Sequence, residues 1–230
     1  MHDRRPANKL NTWTIETKYS ETALAHEANL DEWRKPTVWV IEPKDSCLVL
    51  GKSQRGRDFL NSSYLEEQNI NLTVRQSGGG SVLVSPDDML WVDIFIPKES
   101  KFWIADIAKA SIWIGRIWHD ALERLGIECS LFDESFSRSE ASDLICFIGR
   151  APGELFIDNR KILGISQRRS KFGTRFQCAL IINWKPEHMI AAYASSPIPN
   201  LDKLISRAGI GSGCQKQSAL NAFLSALPSL

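Results

Sequence analysis

Leu144 to Asn183 reads LICFIGRAPGELFIDNRKILGISQRRSKFGTRFQCALIIN, and this stretch decides the fold. It holds four apolar runs, at 144–148, 154–157, 162–166 and 175–183, each short enough for a strand. Between them stand GRAPG, DNRK and RRSKFG, which carry the Gly, Pro, Asn and Asp that tight turns require. Connections this short join antiparallel neighbours, because a parallel pair needs a long crossover. The spacing therefore predicts an antiparallel meander.

Working upstream, MLWVDIFI (Met89 to Ile96) ends at Pro97 and reads as a further strand. Ile104, Ile107, Ile114, Trp118, Ala121 and Leu125 recur at helical spacing and predict a helix over 103–125, capped by Ser100 and stopped by Gly126. TVWVI (37–41), Ser46 to Leu50, Leu72 to Arg75 and Val82 to Val84 read as short strands, whereas 22–33 and 62–68 look helical. From Pro186 onward the chain reads as helices interrupted near 197–200 and 209–213. Hairpins mixed with a few helices, without regular βαβ alternation, predict an α+β fold in one domain over 1–230.

The chain has 230 residues, 43% hydrophobic and 24% charged, which excludes disordered and fibrous classes. Its formal charge of +1 gives no general pull toward nucleic acid or an anionic membrane. Cys47, Cys129, Cys146, Cys178 and Cys214 are odd in number and form no CxxC pair, so neither a disulfide framework nor a metal site is expected. MHDRRPANKLNTW lacks an apolar run behind its charges, and no stretch is long enough for a membrane span. A cytoplasmic protein is the expectation.

Three places could carry chemistry. Arg75-Gln76-Ser77-Gly78-Gly79-Gly80-Ser81 sets three consecutive glycines between two predicted strands. Without Cβ atoms, successive N–H groups can turn toward an anion, and Arg75 adds a fixed charge; a merely flexible loop has the same composition. Lys161 stands at a turn-to-strand junction with Gly164 three residues on, within a stretch where Arg160, Lys161, Arg168, Arg169, Lys171 and Arg175 are all cationic. Most of these charges fit a solvated hairpin equally well. Cys146 lies inside LICFI, where a cysteine is ordinarily a small buried hydrophobe. His2, His26, His119 and His188 all lie outside these segments, so no Ser-His-Asp or Cys-His grouping has local support.

Read together, LVLGKSQ (Leu48 to Gln54), RQSGGGSV (Arg75 to Val82) and DNRKILGISQ (Asp158 to Gln167) resemble motifs of the lipoate-protein ligase A / octanoyltransferase family. That family shares its fold with the biotin-protein ligases. The resemblance implies a mixed, largely antiparallel sheet flanked by helices, with a tunnel for an acyl chain. It implies that Arg75, Ser77, Gly78, Gly79 and the backbone of Gly80, Ser81, Val82 and Leu83 hold a nucleotide phosphate or its stand-in. Lys161 would contact the acyl carboxyl, with Gly164 close by.

The resemblance further implies transfer of a lipoyl or octanoyl group to a lysine of a lipoyl carrier domain, of 2-oxoacid dehydrogenase or glycine-cleavage type. An acyl carrier protein is a possible donor partner. No tightly bound cofactor is expected. Lipoate or octanoate is the substrate, with ATP and magnesium if the enzyme is a ligase. Two departures bear on that route: Val84-Ser85 replaces the ligases' His-Asp, and Arg150 or Ala151 stands where they carry a magnesium-associated Asp.

The cysteine-dependent octanoyl- and lipoyl-transferases carry a pattern matched by Cys146-Phe147, Glu154-Leu155 and Lys161, which implies a Cys146 thioester. Here Ala151-Pro152-Gly153 stands for their Pro-Ser, and Gln177-Cys178 for their His-Gly. The readings left open are this thioester route, ATP-dependent ligation through lipoyl-AMP, and a non-catalytic relative that binds a lipoyl domain. Arg55-Gly56-Arg57 is a faint echo of the biotin ligases. The ligases' separate C-terminal accessory domain is not expected, since helical sequence follows Asn183.

Overall fold

Every residue of MLWVDIFIP is buried, which marks this strand as covered on both faces. In the computed structural model, which describes residues 13–28, 33–52, 54 and 59–229, it is β6 (Met89–Pro97). The readings of 1–12, 29–32 and Arg55-Gly56-Arg57 lie outside the described residues. The strands before β6 are β1 (Thr14–Ser20), β2 (Thr37–Pro43), β3 (Cys47–Leu50), β4 (Asn71–Val74) and β5 (Val82–Val84). After it come β7 (Ser130–Leu131), β8 (Leu155–Ile157), β9 (Arg160–Ser170) and β10 (Gly173–Ile181). The helices are α1 (Thr22–His26), α2 (Ser62–Glu67), α3 (Ile107–Glu123), α4 (Glu140–Leu144), α5 (Glu187–Ala192), α6 (Leu201–Ala208) and α7 (Lys216–Ala226).

Two sheets result, in a mixed and mostly antiparallel α+β arrangement. The larger runs β1-β2-β6-β10-β9-β8-β7, parallel only between β1 and β2. The smaller is β4-β3-β5, with β4 parallel and β5 antiparallel to β3. Alternation along β6 divides its burial. Leu90, Val92, Ile94 and Ile96 pack toward α3 and α7, where Trp118 stacks on Phe223 at 4.2 Å between centroids. Met89 and Trp91 face the other way, onto Cys47, Val49 and Val84 of the small sheet. Leu48 and Leu50 on its far side meet Leu65, Leu144 and residues of α5 and α6. The layers are therefore helices, large sheet, small sheet, helices, with a cleft between the sheets.

The meander from β8 to β10 forms as its turns require. Its first predicted strand does not: Leu144 ends α4, and Cys146–Ile148 form a 3₁₀ turn. The reason is the cap, where Ser139 and Ser142 each bond the other's backbone N–H and start a helix inside the predicted loop. The long helix begins at Ile107 rather than near Trp103. Asp106 is its cap, accepting from the Lys109 N–H at 2.8 Å, while Ser100 serves the preceding turn by accepting from the Phe102 N–H. α1 stops at His26, short of the predicted helix, and β1 and β7 were not anticipated. No helix among the described residues is long and apolar enough to cross a membrane.

Candidate functional site

The glycine turn joins β4 to β5 around a buried arginine. Arg75 is 4% exposed and points inward. Its Nε donates to Ser77 Oγ at 3.0 Å, and its Nη2 donates to the carbonyls of Gly78 and Gly80, both at 2.8 Å. Three of its five N–H groups thus fix the turn, whereas Nη1 has no partner among the described residues. Gly79 takes φ +96°, open to glycine at no cost. Gly80 is needed for close approach: a Cβ there would lie 2.7 Å from the backbone of Ile145 and Cys146.

At Gly78 a Cβ would meet nothing within 4 Å. Gly80→Ala should therefore cost ~1–3 kcal/mol by overpacking against backbone. Gly78→Ala should stay within ~0.5 kcal/mol. Thermal unfolding of the two variants checks this, and equal stabilities would refute the packing account.

Ser81 is fully buried, and its N–H and Oγ both donate to the Leu144 carbonyl, at 2.8 and 2.9 Å. The expectation that this amide faces an anion therefore needs correction, because its hydrogen is already engaged. Val82 and Leu83 are half-buried and pair with Val49 and Leu48, leaving β5 as a free edge of the small sheet.

Cys146 joins the two halves of the cleft. Its N–H donates to Ser81 O at 3.0 Å, and its carbonyl accepts from Lys161 Nζ at 3.0 Å. Lys161 is 1% exposed and bonds both oxygens of Glu154 at 2.8 Å. The ammonium thus makes two hydrogen bonds and a further ion-pair contact with Glu154 Oε2. Burial pushes the Glu154 carboxyl above its ordinary range, opposed by the Lys161 charge and by N–H groups of Ala151 and Ile165. Lys161 thus lies behind the Cys146 peptide rather than open to the cleft. Glu154 is the partner that sequence reasoning left without a role.

The place matching the ligases' magnesium-associated Asp does not fit a divalent cation. Arg150 is cationic, Ala151 offers no ligand atom from its side chain, and the nearby Glu154 oxygens are held by Lys161 and the Ala151 amide. The one group of side chains among the described residues with ligand geometry, His119, Asp120 and Glu123 on α3, lines no part of the cleft.

The cleft is narrow, with a cavity volume of about 60 Å³, and it is partly open to solvent. Val82, Cys146, Phe147 and Gly164 line it, as do Arg75, Trp91, Gln177 and His26. A Cβ at Gly164 would sit 3.5 Å from Phe147, an ordinary contact, so glycine is not demanded there. The half-buried Cys146 contributes to the wall. Burial pushes the Cys47 thiol up to about 12 and the Cys129 thiol up to about 11, with a nearby carboxylate adding in each case.

His26 is a lining residue that no sequence signal marked, since its burial comes from elements far along the chain. It sits against Trp91, with ring centroids 4.8 Å apart. Arg175 holds it there. That guanidinium donates to the carbonyls of Ala25 and His26 at the end of α1, and pairs with the buried Asp93. The basic hairpin face therefore loses two expected members: Arg175 is internal, and Arg169 donates to the carbonyls of Ile104, Ala105 and Asp106.

A glycine turn clamped by arginine, a thiol on the wall and a buried lysine behind it define an α+β domain built around a ligand cleft between two sheets. The chain belongs to the family of the lipoyl protein ligase A/B catalytic domain, whose model matches residues 18–208. It is 30% identical over 150 residues to octanoyltransferase LipM of Clostridioides difficile (strain 630), covering 64% of this chain and 54% of that protein. The chain thus spans about half the length of this curated relative.

Among solved structures it resembles lipoate-protein ligase A bound with ATP, with a TM-score of 0.74 and 15% identity over 93% of this chain and 82% of that one. It also resembles protein Ta0514 of T. acidophilum with bound lipoic acid, at TM-score 0.73 and 16% identity, with the same coverage. A bi-partite lipoate protein ligase and its E2 lipoyl domain from Thermoplasma acidophilum gives 0.69 and 16%, over 93% and 81%. At these identities the structural likenesses show the fold.

Proposed function

We propose that this protein attaches a lipoyl-type acyl group to a lysine of a lipoyl carrier domain. The observation that carries the reading is the line of hydrogen bonds from the glycine turn through the Cys146 peptide to Lys161, along the wall of a mostly apolar cleft. Family membership supplies the chemistry, and the cleft supplies a place for the acyl chain beside a cationic turn. A lipoyl domain, named with one structural relative, is the acceptor this reading requires.

Two routes lead to that product. Ligation through lipoyl-AMP is supported by the relatives that hold ATP and lipoic acid, and by the buried Arg75 charge in the cleft wall. Transfer through a Cys146 thioester is supported by the thiol's place in the wall and by the likeness to LipM. The Lys161 charge that would activate this thiol is neutralised by Glu154 and directed at the Cys146 carbonyl, which weighs toward ligation.

With lipoate, ATP and a lipoyl domain, mass spectrometry should show the domain gaining one lipoyl group on lysine. Cys146→Ala should keep most of that turnover. An acyl adduct on wild-type Cys146, with loss of transfer in Cys146→Ala, would establish the thioester route instead. Binding of the lipoyl domain without turnover from any donor would mark a non-catalytic relative and overturn the proposal.

A further inference from the structure

The Leu144 carbonyl, at the end of α4, receives more donors than it has lone pairs. Ser81 gives it a backbone N–H at 2.8 Å and Oγ at 2.9 Å, and Gln54 Nε2 adds a third bond at 3.0 Å. One partner is enough to satisfy a buried carbonyl. Three converging donors fix its position, two residues before Cys146.

The third donor leads away from the cleft to the outer helices. Gln54 Nε2 also donates to Tyr193 Oη at 2.9 Å, and Tyr193 Oη donates to Ser81 Oγ at 2.9 Å. Tyr193 directly follows α5 and is 2% exposed. Neither it nor Gln54 lines the cleft.

Only one arrangement of hydrogens satisfies this ring of groups. The Gly51 N–H donates to Gln54 Oε1 at 3.1 Å, so the amide NH₂ points at Leu144 and Tyr193 and commits both hydrogens there. The tyrosine hydroxyl accepts from Gln54 and gives its own hydrogen to Ser81 Oγ, which in turn donates to Leu144. Every path ends on the same carbonyl.

The Cys146 peptide is anchored to this ring. Its N–H donates to Ser81 O at 3.0 Å, and its carbonyl accepts from Lys161 Nζ. The glycine turn comes so close that a Cβ at Gly80 would lie 2.7 Å from the backbone of Ile145 and Cys146. A slip of Ser81 or Leu144 therefore displaces the glycine turn, the thiol and the Lys161 contact relative to one another.

We infer that Gln54 and Tyr193 are positioning residues for acyl transfer: acting through Ser81, they hold the Cys146 peptide in register with the glycine turn and Lys161. The inference rests on the lipoylation reading above. Because both side chains stand outside the cleft, their contribution falls on turnover of the bound acyl group rather than on its affinity.

Steady-state transfer to a lipoyl domain tests this, from lipoate and ATP or from an octanoyl thioester of an acyl carrier protein. Tyr193→Phe keeps the ring and removes the hydroxyl; it should lower kcat about tenfold or more, with KM for the acyl donor within about twofold of wild type. Gln54→Glu keeps the shape and the Gly51 bond but puts an acceptor where the amide donated, which draws the tyrosine hydrogen away from Ser81. It should show the same split. Adding Tyr193→Phe to Ser81→Ala should cost no further kcat, since the tyrosine acts through that serine. Wild-type kcat in both single variants, a loss carried by KM, or losses that multiply in the double variant would overturn the inference and leave the lipoylation reading intact. Wild-type protein that transfers from neither donor would overturn both.

Discussion

Replacing Lys161 with methionine should abolish acyl attachment and destabilise the fold together. Lys161 and Glu154 are both almost fully buried and bonded at 2.8 Å. Removing one partner strands the other's charge, at a cost of ~3–5 kcal/mol. For a chain of this size that lowers Tm by about 10 °C. The Cys146 carbonyl loses its donor as well. The double variant Lys161→Met, Glu154→Gln should regain most of the stability, because no unpaired charge remains, yet stay at least about a hundredfold below wild type in transfer. Thermal unfolding and a mass-based transfer assay separate the two effects. Full activity in a stable double variant would mean that Lys161 has only a structural role.

Arg175→Met should be comparably severe, though for a different reason. Asp93 lies fully buried in the centre of β6, bonded to Arg175 and to the Trp91 indole at 2.8 Å. Losing the guanidinium leaves that carboxylate unpaired and frees the end of α1, for a loss of ~3–5 kcal/mol. Lysine cannot replace it, since one ammonium does not reproduce the planar fork that serves Asp93 and two α1 carbonyls. Limited proteolysis should cut near α1 in Arg175→Met before the rest of the chain, because the residue pins that helix. Uniform resistance at wild-type rates would contradict this.

How far the fold was legible depends on where each signal resides. The β8–β10 meander, β6 and the body of α3 follow from local turn chemistry and periodicity, which a single sequence displays. LICFI misled because a short apolar run has no period of its own, and the decisive Ser139–Ser142 cap lay in what looked like a polar loop. β1 and β7 are edge strands held by pairing with distant segments, which leaves little local mark. Within the site, the family motifs drew attention to Arg75 and Lys161, and the transferase pattern to Cys146. They could not reveal that Lys161 faces Glu154 across a hairpin, or that Ser81 has given its amide to Leu144. His26 escaped because a lone histidine on a five-residue helix becomes a cleft residue only through Arg175, 149 positions away.

The peptide flanking Cys146 is grasped from both directions, by the small sheet through Ser81 and by the large sheet through Lys161. This single residue therefore behaves as a rivet between two plates. Any guest wide enough to spread the plates must pull on the rivet, so occupancy of the gap is felt first at the sulfur-bearing residue. A fluorine-labelled or spin-labelled reporter near the 3₁₀ turn would register entry of a guest before any chemistry occurs.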